Sequence, residues 1–234
     1  MTQPHLLAMT QPHLDRLDPM QGQRIHLVRH GEVENPEGIL YGRLPNYGLS
    51  ERGHRMAQLA ADDLAARGVP AGRLVVSPLQ RTRESAAPIA KAFGLEPVID
   101  DRVIEPWNEF EGERLGGRNG AWREPRHWKH LLQPWRPSWG EPYREIVARM
   151  RAALLEQAAA SEGADVIVVS HQLPIWMVHR ALTHQPLPHN PAKRRCALSS
   201  ITVLEYHPAT GFREADYHEP AAAELAAAID QGAV

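Results

Sequence analysis

A chain of 234 residues is long enough for one large domain or two small ones, and 43% hydrophobic residues supply a core. The formal charge of −2 gives no electrostatic argument for nucleic acid as a partner, and no apolar run approaches the ~20 residues of a membrane-spanning helix. Cys196 is the single cysteine, which excludes an internal disulfide and fits a reducing cytoplasm, and no signal peptide is visible.

Residues 1–23 read as a flexible tail. Met1-Thr2-Gln3-Pro4-His5-Leu6 recurs as Met9-Thr10-Gln11-Pro12-His13-Leu14, a duplication too short for a structural repeat, with Met9 or Met20 as an alternative initiator. Ile25-His26-Leu27-Val28 predicts a short strand that feeds Arg29-His30-Gly31-Glu32 into a loop. In open α/β sheets ligands sit beyond the carboxyl ends of strands. An arginine and a histidine there can meet an anion, and Gly31, without a Cβ, lets the backbone approach it. Ser50 caps a helix with Met56, Leu59, Ala60 and Leu64 on one face, and Gly68 ends it.

Leu74-Val75-Val76 predicts a second strand. Ser77-Pro78-Leu79-Gln80 reads as a capping box with proline at the first helical position. That puts Arg81 on the first turn, where free N–H groups and the helix dipole favour an anion. Pro88 is expected to kink or interrupt this helix and Gly94 to stop it. Residues 112–140 break the alternation, with Trp122, Trp128, Trp135 and Trp139 among prolines. This insertion reads as a lid over the site rather than an aromatic satellite cluster. A helix follows over 142–160, with Ile146, Val147, Met150 and Leu154 inward. Val166-Ile167-Val168-Val169 predicts a strand running into Ser170-His171-Gln172, a helix spans 172–182, and 201–206 is a late strand. Residues 220–234 form an alanine-rich tail or a short helix. The pattern predicts one three-layer α/β domain, a mainly parallel sheet with helices on both faces and the Trp-rich insertion as lid.

Three predicted strands thus end in charged or imidazole chemistry. If they are parallel neighbours, Arg29, His30, Arg81 and His171 meet in one pocket. Two guanidiniums beside two imidazoles are costly to hold unless an anion fills the space. A phosphoryl group suits it, because arginine offers paired donors to its oxygens.

Arg29-His30-Gly31-Glu32, Ser77-Pro78-x-x-Arg81 and Ser170-His171 together resemble the histidine phosphatase superfamily, the phosphoglycerate-mutase-like fold, with the motifs in the family's order over 24–206. The resemblance implies a catalytic domain over 24–219 and a phosphohistidine enzyme. His30 is then the nucleophile, and Arg29, Arg81 and His171 hold the phosphoryl oxygens. In the family an acid follows a Leu- or Ile-like position, with a glycine four residues later and a Glu-Gly pair beyond. Ile104-Glu105 fits the first part. Glu109 stands where the glycine belongs and Glu111-Gly112 comes one residue early, so a one-residue shortening leaves Glu105 as the acid and base. Glu109 and Glu113 read as a solvated charge run. Asn35 stands one residue from the family's asparagine, and Asn35, Arg43 and Gln172 are the expected substrate contacts, with Tyr41 and Gly42 in the same loop as Arg43.

His127, His130, His184 and His189 lack metal-ligand spacing and read as surface. No metal or other cofactor is expected. Lys193-Arg194-Arg195 reads as an exposed face or a contact for a second anionic group. The expected partner is a small phosphate ester, hydrolysed through a phosphohistidine. The alternatives are a phosphoglycerate mutase using the same intermediate and an inactive relative that binds phosphorylated ligands. Glu105 beside His30 and His171 favours turnover over mere binding. Glycolytic mutases of this fold carry Glu-Arg-His-Tyr-Gly at the acid position. Here it reads Glu105-Pro106-Trp107-Asn108-Glu109, which favours hydrolysis.

Overall fold

The computed structural model describes residues 22–114 and 140–230. Among these, six strands form one sheet. They are β1 (Gln23–Arg29), β2 (Ala71–Val76), β3 (Pro97–Ile99), β4 (Asp165–Ser170), β5 (Ile201–His207) and β6 (Gly211–His218), in the spatial order β3-β2-β4-β1-β5-β6. The first four of that order are mutually parallel, whereas β5 runs antiparallel to β1 and β6 antiparallel to β5. The sheet is therefore mixed. The late strand turned out to be the first arm of a hairpin, and its second arm was not legible. The sequence of β6, Gly-Phe-Arg-Glu-Ala-Asp-Tyr-His, carries charge on an edge with no buried residue, so the apolar alternation that marks a half-buried strand is missing.

Helices cover both faces. On one side α1 (Glu51–Ala66) and α2 (Gln80–Phe93) bury Ala60, Leu64, Ala86 and Ile89 against Val28, Leu74, Val76, Ile167 and Val169. On the other, α3 (Tyr143–Ala160) and α4 (Gln172–Leu182) bury Ile146, Met150, Leu154 and Ile175 against Ile25, Leu27, Val75, Val166 and Val168. Neighbouring residues of one strand feed opposite cores, which is why β2 and β4 read as continuous apolar runs. Each fully buried aliphatic side chain contributes roughly 1.5–3 kcal/mol relative to exposure.

Several local expectations hold. Ser50 accepts from the Gly53 amide and caps α1, worth about 1 kcal/mol. Gly94 adopts a left-handed conformation at φ 65° and closes α2. Two do not. The helix at Ser77 begins only at Gln80, with no side-chain cap, because Ser77 faces the pocket instead. Pro88 sits inside α2 without interrupting it; the same helix buries Ala86 and Ile89, and that packing offsets the ~3 kcal/mol a mid-helix proline costs. β1 starts at Gln23, one residue before the expected domain edge. At the other end a short helix, α5 (Ala222–Leu225), follows β6. Leu225 and Ala228 pack against Met56, Leu198 and Ala221. The expected Trp-rich lid over 112–140 lies, except at its ends, outside the described residues. Among the described residues no helix is long and apolar enough to cross a membrane.

Candidate active site

β1, β4 and β2 are neighbours, so their carboxyl ends lie side by side. The His30 amide donates to the Ser170 carbonyl at 3.2 Å and the Ser77 amide to the Val169 carbonyl at 3.1 Å. These bonds stitch the three turns together. Arg29, His30, Arg81 and His171 are each at most 1% exposed, and the two imidazoles stand edge to face with centroids 5.2 Å apart.

The His30 ring lies 2.8 Å, through Nδ1, from the Gly31 carbonyl. A carbonyl only accepts, so Nδ1 carries the proton and Nε2 keeps its lone pair. Burial, then the charges of Arg81 and Arg29, holds the imidazole pKa well below its ordinary value, so the ring is neutral. Gly31 is required for a reason other than ligand approach. A Cβ there would lie 2.4 Å from the Gly53 carbonyl oxygen, so the glycine lets the first turn of α1 close on the loop. The Gly31 amide donates to Ser85 Oγ at 3.1 Å and Ser85 donates back to the Arg81 carbonyl at 2.8 Å, which locks the loop to α2.

Arg81 emerges from the first turn of α2, as expected. Its Nη2 donates to the Gly42 carbonyl at 2.8 Å and its guanidinium lies 4.8 Å over the Tyr41 ring. Arg29 donates Nη1 to the Cys196 carbonyl at 2.7 Å, and both its terminal nitrogens meet Asp230, at 2.8 and 2.5 Å. His171 Nε2 lies 2.7 Å from Ser77 Oγ. Its Nδ1 faces Glu105 Oε2 at 3.6 Å. Burial, followed by the Arg81 charge, keeps His171 well below its ordinary pKa.

Glu105 is 2% exposed. Burial pushes its carboxyl up to about 7, against the opposing pull of the neighbouring arginines. Its loop is held by Ser170 Oγ on the Val103 carbonyl at 2.7 Å and by Arg149 Nη1 on the Arg102 carbonyl at 2.6 Å. The rival carboxylates sit differently. Glu109 is exposed, and Glu111 Oε1 accepts from the Arg43 and Asn108 amides, so it serves the loop.

The outer residues divide. Arg43 reaches the rim and donates Nε to the Glu105 carbonyl at 2.6 Å. Gln172 accepts from Arg194 at 3.0 Å and lies 3.5 Å from the Cys196 carbonyl. Asn35 is not brought to the cluster by any contact, since its amide group closes its own loop on the Ile39 backbone. His189 departs from a surface reading: it is partly buried, accepts from Arg194 Nε at 2.8 Å, and is lowered to about 4, chiefly by burial. Ser77 enters the sequence motif as a helix cap, yet its hydroxyl meets His171; Asp230 carries no sequence signal.

Four buried polar atoms in this cluster have no hydrogen-bond partner among the described residues: Arg29 Nε, Arg81 Nε, Glu105 Oε1 and His171 Nδ1. Unsatisfied buried groups are costly, and four in one pocket with an imidazole lone pair mark where an oxygen-rich ligand belongs. The arrangement places a neutral imidazole with a free ring nitrogen, two guanidiniums and a carboxyl in one buried cluster.

The histidine phosphatase superfamily (branch 1) family model matches residues 25–215, and the chain belongs to that family. It is 49% identical over 201 residues to protein Rv0525 of Mycobacterium tuberculosis, covering 85% of this chain and 97% of the relative. It is 32% identical over 164 residues to phosphoserine phosphatase 1 of Hydrogenobacter thermophilus, covering 68% and 75%. The solved structure of Bacillus stearothermophilus YhfR superposes with a TM-score of 0.68 at 24% identity, covering 82% of this chain and 95% of that one. Phosphatase and phosphoglycerate mutase names both occur among the relatives.

Proposed function

We propose that this protein hydrolyses a small phosphate monoester through a phosphohistidine on His30, without a metal ion. The observation that carries the reading is a buried, neutral His30 whose Nδ1 faces the Gly31 carbonyl and so leaves a lone pair on Nε2, with the Arg81 and Arg29 charges acting on it, the His171 ring 5.2 Å away and Glu105 against His171. In the first step the Nε2 lone pair attacks phosphorus and the ester P–O bond breaks. Glu105 gives its proton to the leaving oxygen. Arg29, Arg81 and His171 stabilise the charge on the equatorial oxygens. In the second step water attacks phosphorus and loses a proton to Glu105, and the P–N bond breaks to restore His30. A carboxyl near 7 suits both roles at neutral pH.

A mutase shares the first step but must keep its phosphohistidine from water. The acid loop lacks the Arg-His-Tyr run of the glycolytic mutases. With 3-phosphoglycerate and a trace of 2,3-bisphosphoglycerate, release of free phosphate is expected. Rapid formation of 2-phosphoglycerate with negligible phosphate would overturn hydrolysis and favour the mutase.

The guanidiniums supply the charge that a metal ion would otherwise provide. Dialysis against a chelator is therefore expected to leave activity unchanged, and vanadate to abolish it as a trigonal phosphoryl mimic. Activity lost on chelation and restored by one added metal would contradict this.

A further inference from the structure

Arg29 is fully buried, yet both its terminal nitrogens pair with the carboxylate of Asp230, 201 residues away in sequence. The bidentate pair with Asp230 joins a guanidinium at 0% exposure to a side chain that is 41% exposed. One partner is thus buried in the pocket and the other is partly open to solvent.

The segment that carries Asp230 is docked independently of the pocket. The Ile229 amide donates to Glu32 Oε2 at 2.8 Å. Arg52 pairs with the same carboxylate at 3.1 Å, donates to the Ala227 carbonyl, and reaches Glu224 at 3.6 Å. Glu32, the last residue of the Arg-His-Gly-Glu motif, also accepts from Ser50 Oγ at 2.6 Å. The proposed phosphoryl transfer gives Glu32 no task, and it anchors the segment beside α1.

We propose that the C-terminal segment is an autoinhibitory clasp, in which Asp230 occupies on Arg29 the place of two phosphoryl oxygens until a phosphate ester displaces it. This rests on the reading that Arg29 holds the phosphoryl group. A buried guanidinium needs a counter-charge, and a carboxylate at its fork supplies one in the unliganded protein. A phosphoryl dianion brings more charge and a third oxygen, so it wins the exchange, at an apparent affinity reduced by the fraction of molecules in the clasped state. The contacts of Leu225 and Ala228 with Met56, Leu198 and Ala221 hold the segment up to Ala228 in place, so release of Asp230 involves residues 229 and 230.

Asp230→Asn removes the charge and keeps the size. Vanadate and inorganic phosphate binding, followed by calorimetry on wild type and variant, is expected to tighten at least ~5-fold, and the KM for p-nitrophenyl phosphate to fall with it. A chain ending at Ala228, which keeps the packing contacts, is expected to behave the same way. Carboxypeptidase trimming past Asp230 in the wild type should accelerate when vanadate is bound. Equal or weaker anion binding by Asp230→Asn, or anion binding by neither protein, would overturn the clasp. Failure of the hydrolase reading is distinguishable: a protein that turns over no ester but binds vanadate more tightly as Asp230→Asn keeps the clasp and loses hydrolysis.

Discussion

His30→Ala is expected to lower turnover of any phosphate ester by about 10⁴-fold or more while the protein stays folded. The His30 imidazole is neutral with a lone pair on Nε2, whereas His171, the other imidazole of the pocket, is held between Ser77 Oγ at Nε2 and Glu105 at Nδ1. Brief mixing of the wild type with substrate and quenching in alkali should trap an acid-labile phosphate that peptide mapping assigns to His30. The fold should survive because the ring's side-chain hydrogen bond goes only to the adjacent Gly31 carbonyl. Circular dichroism and a thermal melt check that the variant is native. A folded His30→Ala protein with full activity would remove the phosphohistidine from the mechanism.

The site was legible where strand burial and site chemistry coincide. β1, β2 and β4 end in residues buried on both faces, so each reads as an apolar run, and the polar residue after each run stands out. The placement of Arg81 was legible for a different reason, since a helix start fixes its first turn. Ser77 shows where local rules fail. A serine before a proline is a good helix cap, but His171, 94 residues away in sequence, offers its ring at 2.7 Å, and that long-range partner wins. Asn35 differs in the opposite direction. A loop asparagine suits a ligand, and here its amide also bonds the Ile39 backbone within its own turn. The edge strand β6 and the Arg29–Asp230 pair gave no local signal. The first lacks buried residues, and the second joins positions 201 residues apart.

Glu105→Gln is expected to slow alkyl phosphate hydrolysis by about 10²–10⁴-fold while p-nitrophenyl phosphate is affected much less in the phosphorylation step. An alkoxide is a poor leaving group and needs the proton; nitrophenolate leaves without it. The pH profile follows from the same carboxyl. The first step requires its acid form, so alkyl phosphate turnover should fall as pH rises through about 7, and the glutamine variant should lose that limb. If Glu109→Gln or Glu111→Gln shows this leaving-group pattern instead, the acid is misassigned. Stability carries an independent sign. Burial raises the carboxyl from 4.5 to about 7 in the folded protein, so between those values the native state binds more protons than the unfolded chain. Stability contributed by the protonated form is therefore present below 4.5, declines as pH rises through this window, and is lost above it. Glutamine has no proton to lose, so Glu105→Gln should gain melting temperature relative to the wild type at about pH 8, with the gain shrinking towards about pH 5. A carboxyl buried without a hydrogen-bond partner for Oε1 among the described residues thus costs the fold most at the pH where it has already given up its proton, and activity and stability measured on one variant test the same burial twice.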